Sequence, residues 1–118
     1  MRLTTAVALL VAVAGLASSA SAAGPVATAS KKCGVGDVRS YGTTYVTAIS
    51  VSNTSCRNGR KLVRAFHACR PGASGKCASV KGYSCSENRY AKSRISYDSN
   101  VTCRKGSKTV KHTYTQFI

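Results

Sequence analysis

The chain has 118 residues, 43% of them hydrophobic, with six cysteines, no tryptophan, and eighteen Lys and Arg against three Asp and Glu, a formal charge of +15 at neutral pH. That length argues for one domain, and three scattered acids (Asp37, Glu87 and Asp98) argue against chemistry built on paired carboxylates. A metal site is disfavoured as well, because there is no Cys-x-x-Cys pair and His67 and His112 stand at no zinc-type spacing from the cysteines, so no cofactor is expected.

Residues 1–23 read as a secretory signal peptide: Arg2 is a short positive region, "AVALLVAVAGLA" over 6–17 is an apolar stretch, and "SSASAA" supplies the small residues of a cleavage site after Ala22 or Ala23. The apolar run is shorter than the ~20 residues of a membrane span. "GPVATASKK" over 24–32 reads as a flexible tail, with small residues and no apolar period, and residues 33–118 as a single disulfide-stabilised domain. Without Arg2, seventeen cations face three acids, and the mature charge is +14.

A short strand is expected near Val35–Val38, joined by a turn containing Gly42 to a longer one over 41–51, "YGTTYVTAISV". Its alternation places Tyr45, Ile49 and Val51 on one face and Val46, Ala48 and Ser50 on the other. "SCRNGRKLVRAFHAC", 55–69, predicts an amphipathic helix capped by Ser55 and ended by Pro71 and Gly72. At about 100° per residue Gly59, Leu62, Val63, Phe66 and Cys69 share one face. Arg57, Arg60, Lys61 and Arg64 take the opposite face, with His67 at its edge. Arg57 falls in the first turn, where the helix dipole disfavours a cation, and His67 near the last, where it favours one.

Beyond the helix, "RPGASGKC" reads as a loop, 78–85 as a short strand, and 86–95 as an exposed basic loop. A turn is expected at Asp98–Asn100, then a hairpin of Val101–Arg104 and Thr109–Gln116 around "KGSK". The fold class is therefore α+β, a small antiparallel sheet packed on one amphipathic helix. Leu62, Val63 and Phe66 are expected to pack on Ile49, Val51, Tyr83, Val101, Val110 and Tyr114. Such a core is modest for a domain of this size, so disulfides should decide stability.

An even number of cysteines behind a leader implies three disulfides among Cys33, Cys56, Cys69, Cys77, Cys85 and Cys103. Fifteen pairings exist. Proximity favours Cys69 with Cys77, which bracket the loop after the helix, and Cys85 with Cys103, which sit at comparable places on strands; Cys33 and Cys56 remain. Each bridge contributes about 2–4 kcal/mol.

The segments "VSNTSCRNGRKLVRAF", "GYSC" and "VTCRKGSKTV" resemble a group of small secreted cysteine-containing proteins of high-GC Gram-positive bacteria. The shared pattern is an SC-x-x-[AG]-R helix start, a G-aromatic-x-C strand and a C-x-x-G hairpin. It is carried here by Ser55, Cys56, Gly59, Arg60, Gly82, Tyr83, Cys85, Cys103 and Gly106. The resemblance implies a secreted α+β domain and no particular activity; Cys69 and Cys77 are additions to the pattern.

So high a charge repels itself and attracts polyanions. The helix cations Arg57, Arg60, Lys61 and Arg64, with Arg104, Lys105 and Lys108 at the hairpin tip, are the candidate binding residues. The expected partners are anionic polymers: a cell-wall polymer, a polysaccharide, or nucleic acid bound without sequence specificity, with the protein secreted or at the cell envelope. Base stacking has only Tyr90 and Tyr97 as candidates, near Arg89, Lys92 and Arg94. Three alternatives stand beside this reading. A protease inhibitor would offer Arg or Lys from a loop at Arg70–Cys77 or Ser86–Lys92. A cationic antimicrobial protein would need an exposed apolar face, which the core is expected to use up. A ribonuclease would use His67 and His112 as general base and acid, with Lys61 or Lys111 stabilising charge; the plainer expectation is His67 at the helix edge and His112 in a half-buried strand position.

Overall fold

The computed structural model describes residues 29–118. The leader over 1–23 and the first part of the tail lie outside the described residues. The tail read through Lys32 gives way to structure earlier than expected, because Lys31–Cys33 form strand β1 along β3.

The rest follows as β2 (Ser40–Tyr41), β3 (Thr44–Ser52), α1 (Cys56–Cys69), β4 (Ser79–Val80), β5 (Tyr83–Tyr90), β6 (Ser96–Lys105) and β7 (Lys108–Phe117). All pairings are antiparallel, in the order β1-β3-β7-β6-β5-β4, with β2 folded back on β3. The helix covers one face of this sheet, as an α+β fold requires. Among the described residues no helix is long and apolar enough to cross a membrane. Cys33–Cys56, Cys69–Cys77 and Cys85–Cys103 are bonded and no cysteine is free, so the pairing favoured by proximity is the one present.

The helix forms where its cap and period place it. Ser55 accepts a hydrogen bond from the Asn58 backbone N–H at 3.1 Å. Gly59, Leu62, Val63 and Phe66 are its buried residues, whereas Cys69, expected on the same face, is exposed at the helix end, where it bridges to Cys77. Gly59 is there for closeness: a Cβ would stand 2.5 Å from Val51 Cγ1, so only a glycine lets the first helical turns lie this near β3.

Four further expectations change. The stretch 35–38 is a single 3-10 turn at Gly36–Val38, and the short strand before Gly42 is Ser40–Tyr41. In β3 the register shifts between Val46 and Ala48, and this bulge turns Val46, Ile49 and Val51 to the core together, which strict alternation forbids. The first half of the exposed loop read over 86–95 belongs to strand β5, in which the Glu87 and Arg89 side chains turn inward and pair with each other on the helix side. No turn interrupts β6 at Asp98–Asn100; it runs unbroken into a two-residue turn at Gly106–Ser107, with Gly106 at φ +57°.

No described element covers the far face of the sheet. Its register forms four cross-strand rows. Ser52, Thr109, Arg104 and Ser84 make the first, and Ser50, Lys111, Thr102 and Ser86 the second. Ala48, Thr113, Asn100 and Asn88 make the third, and Tyr45, Thr115, Asp98 and Tyr90 the fourth.

Candidate polyanion-binding site

The four helix cations are not equally free. Arg64 binds Asp37 at 2.5 Å, in an exposed pair of the kind worth at most about 1 kcal/mol. Arg60 is half-buried and donates to the Gly34 carbonyl at 3.3 Å. Arg57 and Lys61 are exposed with no partner among the described residues.

The hairpin tip gathers more charge. Arg104, Lys105 and Lys108 are exposed, and Lys105 and Lys108 face each other across the turn. Asn53 Nδ2 donates to the Ser107 carbonyl at 2.9 Å, which ties the β3–α1 junction, and hence the helix end bearing Arg57, to the tip. Lys105 lies over the Tyr83 ring, with Nζ 5.9 Å from its centroid, beside the β4–β5 turn that carries Lys81. Lys31 pairs with Val51 at the same end of the sheet. One pole therefore holds Lys31, Arg57, Lys81, Arg104, Lys105 and Lys108 without an acid. Asp37 is engaged by Arg64, Glu87 is inside, and Asp98 lies further along β6 opposite Tyr90. With a Debye length of about 8 Å at physiological salt, neighbours in this pole share one potential. Lys31 and Lys81 escaped the sequence reading, because one was assigned to a tail and the other flanks a turn whose position depends on sheet pairing; the Lys81-Gly82 step was the available signal.

The two histidines meet and bond directly to each other. His67 Nε2 lies 3.0 Å from His112 Nε2, and Arg70 donates to His67 Nδ1 at 3.0 Å. Arginine only donates, so His67 Nδ1 accepts, its Nε2–H donates to His112, and the His112 proton sits on Nδ1, which has no partner. His112 is 3% exposed rather than half-buried. Burial, then the Arg70 charge, pushes the His67 pKa down to about 3, the opposite direction to the one the helix dipole favours. Burial, then His67 and Arg70, lowers His112 as well. Two rings bonded to each other leave no space for a phosphate between them. Lys61 and Lys111, on the helix surface and the open sheet face, do not join them.

Around this pair is a buried polar cluster. Arg70, 8% exposed, reaches Tyr97 Oη at 2.8 Å and Gln116 Oε1 at 3.2 Å, and its guanidinium lies 4.6 Å from the Tyr114 ring centroid. Tyr97, 6% exposed, is thus a core residue and offers no stacking face. Burial alone would raise the Glu87 carboxyl, but bonds from Ser99, Tyr114 and Arg89, and the Arg89 charge, hold it below its ordinary value.

The cluster also grips the loop between Arg70 and Cys77. Arg70 Nε donates to the Gly75 carbonyl at 3.0 Å and Nη2 to that of Ala73 at 2.8 Å. Arg89 donates to the carbonyls of Ser74 at 2.8 Å and Gly75 at 2.7 Å, and the Tyr97 hydroxyl also bonds Ala73. The Cys69–Cys77 bridge closes the loop. Arg70 is consequently unavailable to a protease, and Lys76 is the exposed cation of this loop. The other loop considered, Ser86–Lys92, is largely strand.

Not all apolar side chains are used by the core. Ile95, Phe117 and Ile118 are 69%, 50% and 72% exposed, at the sheet end opposite the cationic pole and near Lys92 and Arg94. Among the described residues no cluster of three or more metal-ligating side chains occurs. Comparison with family models, curated proteins and solved structures finds no match to this chain.

Proposed function

We propose that this is a secreted or envelope-associated binding protein for anionic polymers, engaging them through the pole of Lys31, Arg57, Lys81, Arg104, Lys105 and Lys108. One observation carries the reading: hairpin closure and the Asn53–Ser107 bond bring these cations to one end of the molecule without an acid among them. The disulfides, the leader pattern and the resemblance to small secreted cysteine-containing proteins support the compartment. Binding by counterion release weakens steeply with salt; for about four phosphate contacts on duplex DNA the slope of log K against log salt is roughly −3.6. Replacing Arg57, Arg104, Lys105 and Lys108 with Gln flattens that slope. Replacing Arg39, Lys76, Lys92 and Arg94, outside the pole, does so much less. Equal losses from both sets would mean that the charge acts as a diffuse field and that the pole is no site.

The gripped loop favours a second reading, a protease inhibitor that presents Lys76 to a trypsin-like pocket. Rigid support of a loop lowers the ordering cost of binding. The expected result is stoichiometric inhibition of trypsin that Lys76→Ala abolishes; rapid cleavage after Lys76 without inhibition would rule this out.

A further inference from the structure

The open sheet face is unlike the rest of this basic surface. Of its sixteen register positions ten are Ser, Thr or Asn and only two, Arg104 and Lys111, are cations. A solvated face in so cationic a chain would ordinarily carry long charged side chains; here most are short, and a shallow groove of about 650 Å³ crosses the face from β1 to β6. It is lined by Ser50, Thr113, Asn100 and Thr102 with Lys32 and Lys111 as its cations, and Asn88 and Tyr90 on β5 lie beyond its β6 side. That volume is within the range of ligand clefts, about 300–1,000 Å³.

The face is also graded. Tyr45 and Tyr90 occupy one row, with Tyr90 40% exposed, and Lys111 and Arg104 lie towards the opposite end. Between them Asn100 Oδ1 accepts from the Thr113 hydroxyl at 2.9 Å, which orients the amide and leaves its N–H groups to solvent. The Asp98 carboxylate accepts from Thr115 at 2.6 Å in the tyrosine row, where the Arg39 guanidinium lies 5.1 Å from the Tyr45 ring centroid and leaves Tyr90 as the free ring. The free Tyr90 ring, fixed amide and hydroxyl groups, and the Lys111 ammonium match the parts of an acidic sugar chain: C–H faces, hydroxyls and carboxylates.

We propose that this face binds a linear acidic polysaccharide, with a sugar ring over Tyr90, hydroxyls on Asn88, Asn100 and Thr102, and a carboxylate at Lys111. The assignment rests on the polyanion reading above and names the ligand class that the second surface selects. Sheet geometry suits an extended chain, because the groups recur at about 4.8 Å across strands and roughly 6.8 Å along them.

The test measures binding of fluorescein-labelled polygalacturonate and of labelled polyphosphate at matched charge and salt. It uses the wild-type chain, the four-Gln pole variant, and a face variant carrying Tyr90→Ser, Asn88→Ala and Thr102→Val. Thermal melting first verifies that the face variant, altered at strand positions facing solvent, keeps the wild-type transition; if it does not, the charge-neutral Asn88→Ala with Thr102→Ser takes its place. The expected result is at least a tenfold loss for polygalacturonate with the face variant and less than a twofold change for polyphosphate, while the pole variant weakens both. Polygalacturonate affinity within twofold of wild type in the face variant overturns the sugar-binding face and leaves the pole reading intact. Absence of wild-type binding to both polymers overturns both.

Discussion

The two ends of the core are held by different physics. At the first half of the helix, Gly59, Leu62 and Val63 lie on Ile49, Val51, Val101 and Val110, flanked by Cys33–Cys56 and Cys85–Cys103. This end is apolar, and its stability comes from area removed from water and from cross-links. Past Phe66 the helix turns His67, and the residue that ends it, Arg70, towards His112, Tyr114, Gln116, Tyr97 and the Glu87–Arg89 pair. Phe66 is the boundary, with its ring edge-on to both histidines at 5.1 Å. The comparison teaches where rigidity serves a surface. The cationic pole needs only a firm end of sheet and helix, and the apolar half provides it. The loop over 70–77 has almost no apolar side chains of its own, so it is ordered from beneath by arginines that are themselves held by a buried carboxylate and two tyrosines.

The sharpest way to break the polar half is Glu87→Ala. It leaves Arg89 as an uncompensated cation and removes the acceptor of Ser99 and Tyr114, at a cost of about 3–5 kcal/mol. Phe66→Ala at the boundary costs a similar amount, about 3–5 kcal/mol, by cavity formation. Urea unfolding separates the two by their reach. Glu87→Ala also frees the loop, and proteolysis at Lys76 becomes fast at urea concentrations well below the midpoint. Phe66→Ala lowers the midpoint alone. Identical loop protection in both variants would mean that the Glu87–Arg89 pair does not order the loop.

Acid distinguishes the halves next. In an unfolded chain a histidine takes up its proton near pH 6.5, whereas His67 in the fold does so only at about 3. Between those values the unfolded state binds the extra proton. Stability is therefore full above about pH 6.5 and falls as the pH drops towards 3, by up to about 1.4 kcal/mol per pH unit for one histidine. His112, lowered in the same direction, adds to the slope. Its midpoint in urea at pH 5 should lie clearly below that at pH 7, and His112→Leu should reduce the difference. A midpoint independent of pH over that interval would mean that both histidines stay accessible to protons.

Legibility in the sequence follows the same division. Helix phase, Ser55 cap and apolar sheet partners follow from local periodicity, Cys69–Cys77 and Cys85–Cys103 can be paired because each joins segments that sequence order makes neighbours, and Cys33–Cys56 is then the pair left over. The polar half was not legible. Glu87, Arg89 and Tyr97 look like a loop and its aromatic neighbour until β6 lies beside β5, and the His67–His112 contact spans 45 positions. The bulge at Val46/Ala48 hides Val46 from a strict alternation rule. The candidate site was half visible: the hairpin-tip cations are read directly, but Lys31 and Lys81 join them only through sheet closure, and Arg60 and Arg64 are drawn off by Gly34 and Asp37, which precede them in sequence by more than twenty residues.

The smallest effect expected is also the most discriminating, because stability and binding should move in opposite directions. Arg57 stands in the first helical turn, exposed, without a partner among the described residues and beside the hairpin tip. The helix N-terminus carries the equivalent of about half a positive charge, so a cation there is unfavourable by roughly 0.3–1 kcal/mol at low salt. Arg57→Gln should therefore leave the thermal midpoint unchanged or raise it slightly, and added salt should remove the gain by screening. The same substitution should weaken duplex DNA binding and reduce the salt slope by about 0.9, the loss of one phosphate contact. A residue kept against its own helix for the sake of a ligand gives this pairing of a small gain with a distinct loss. A fall in stability with binding unchanged would instead make Arg57 a structural side chain and remove it from the pole.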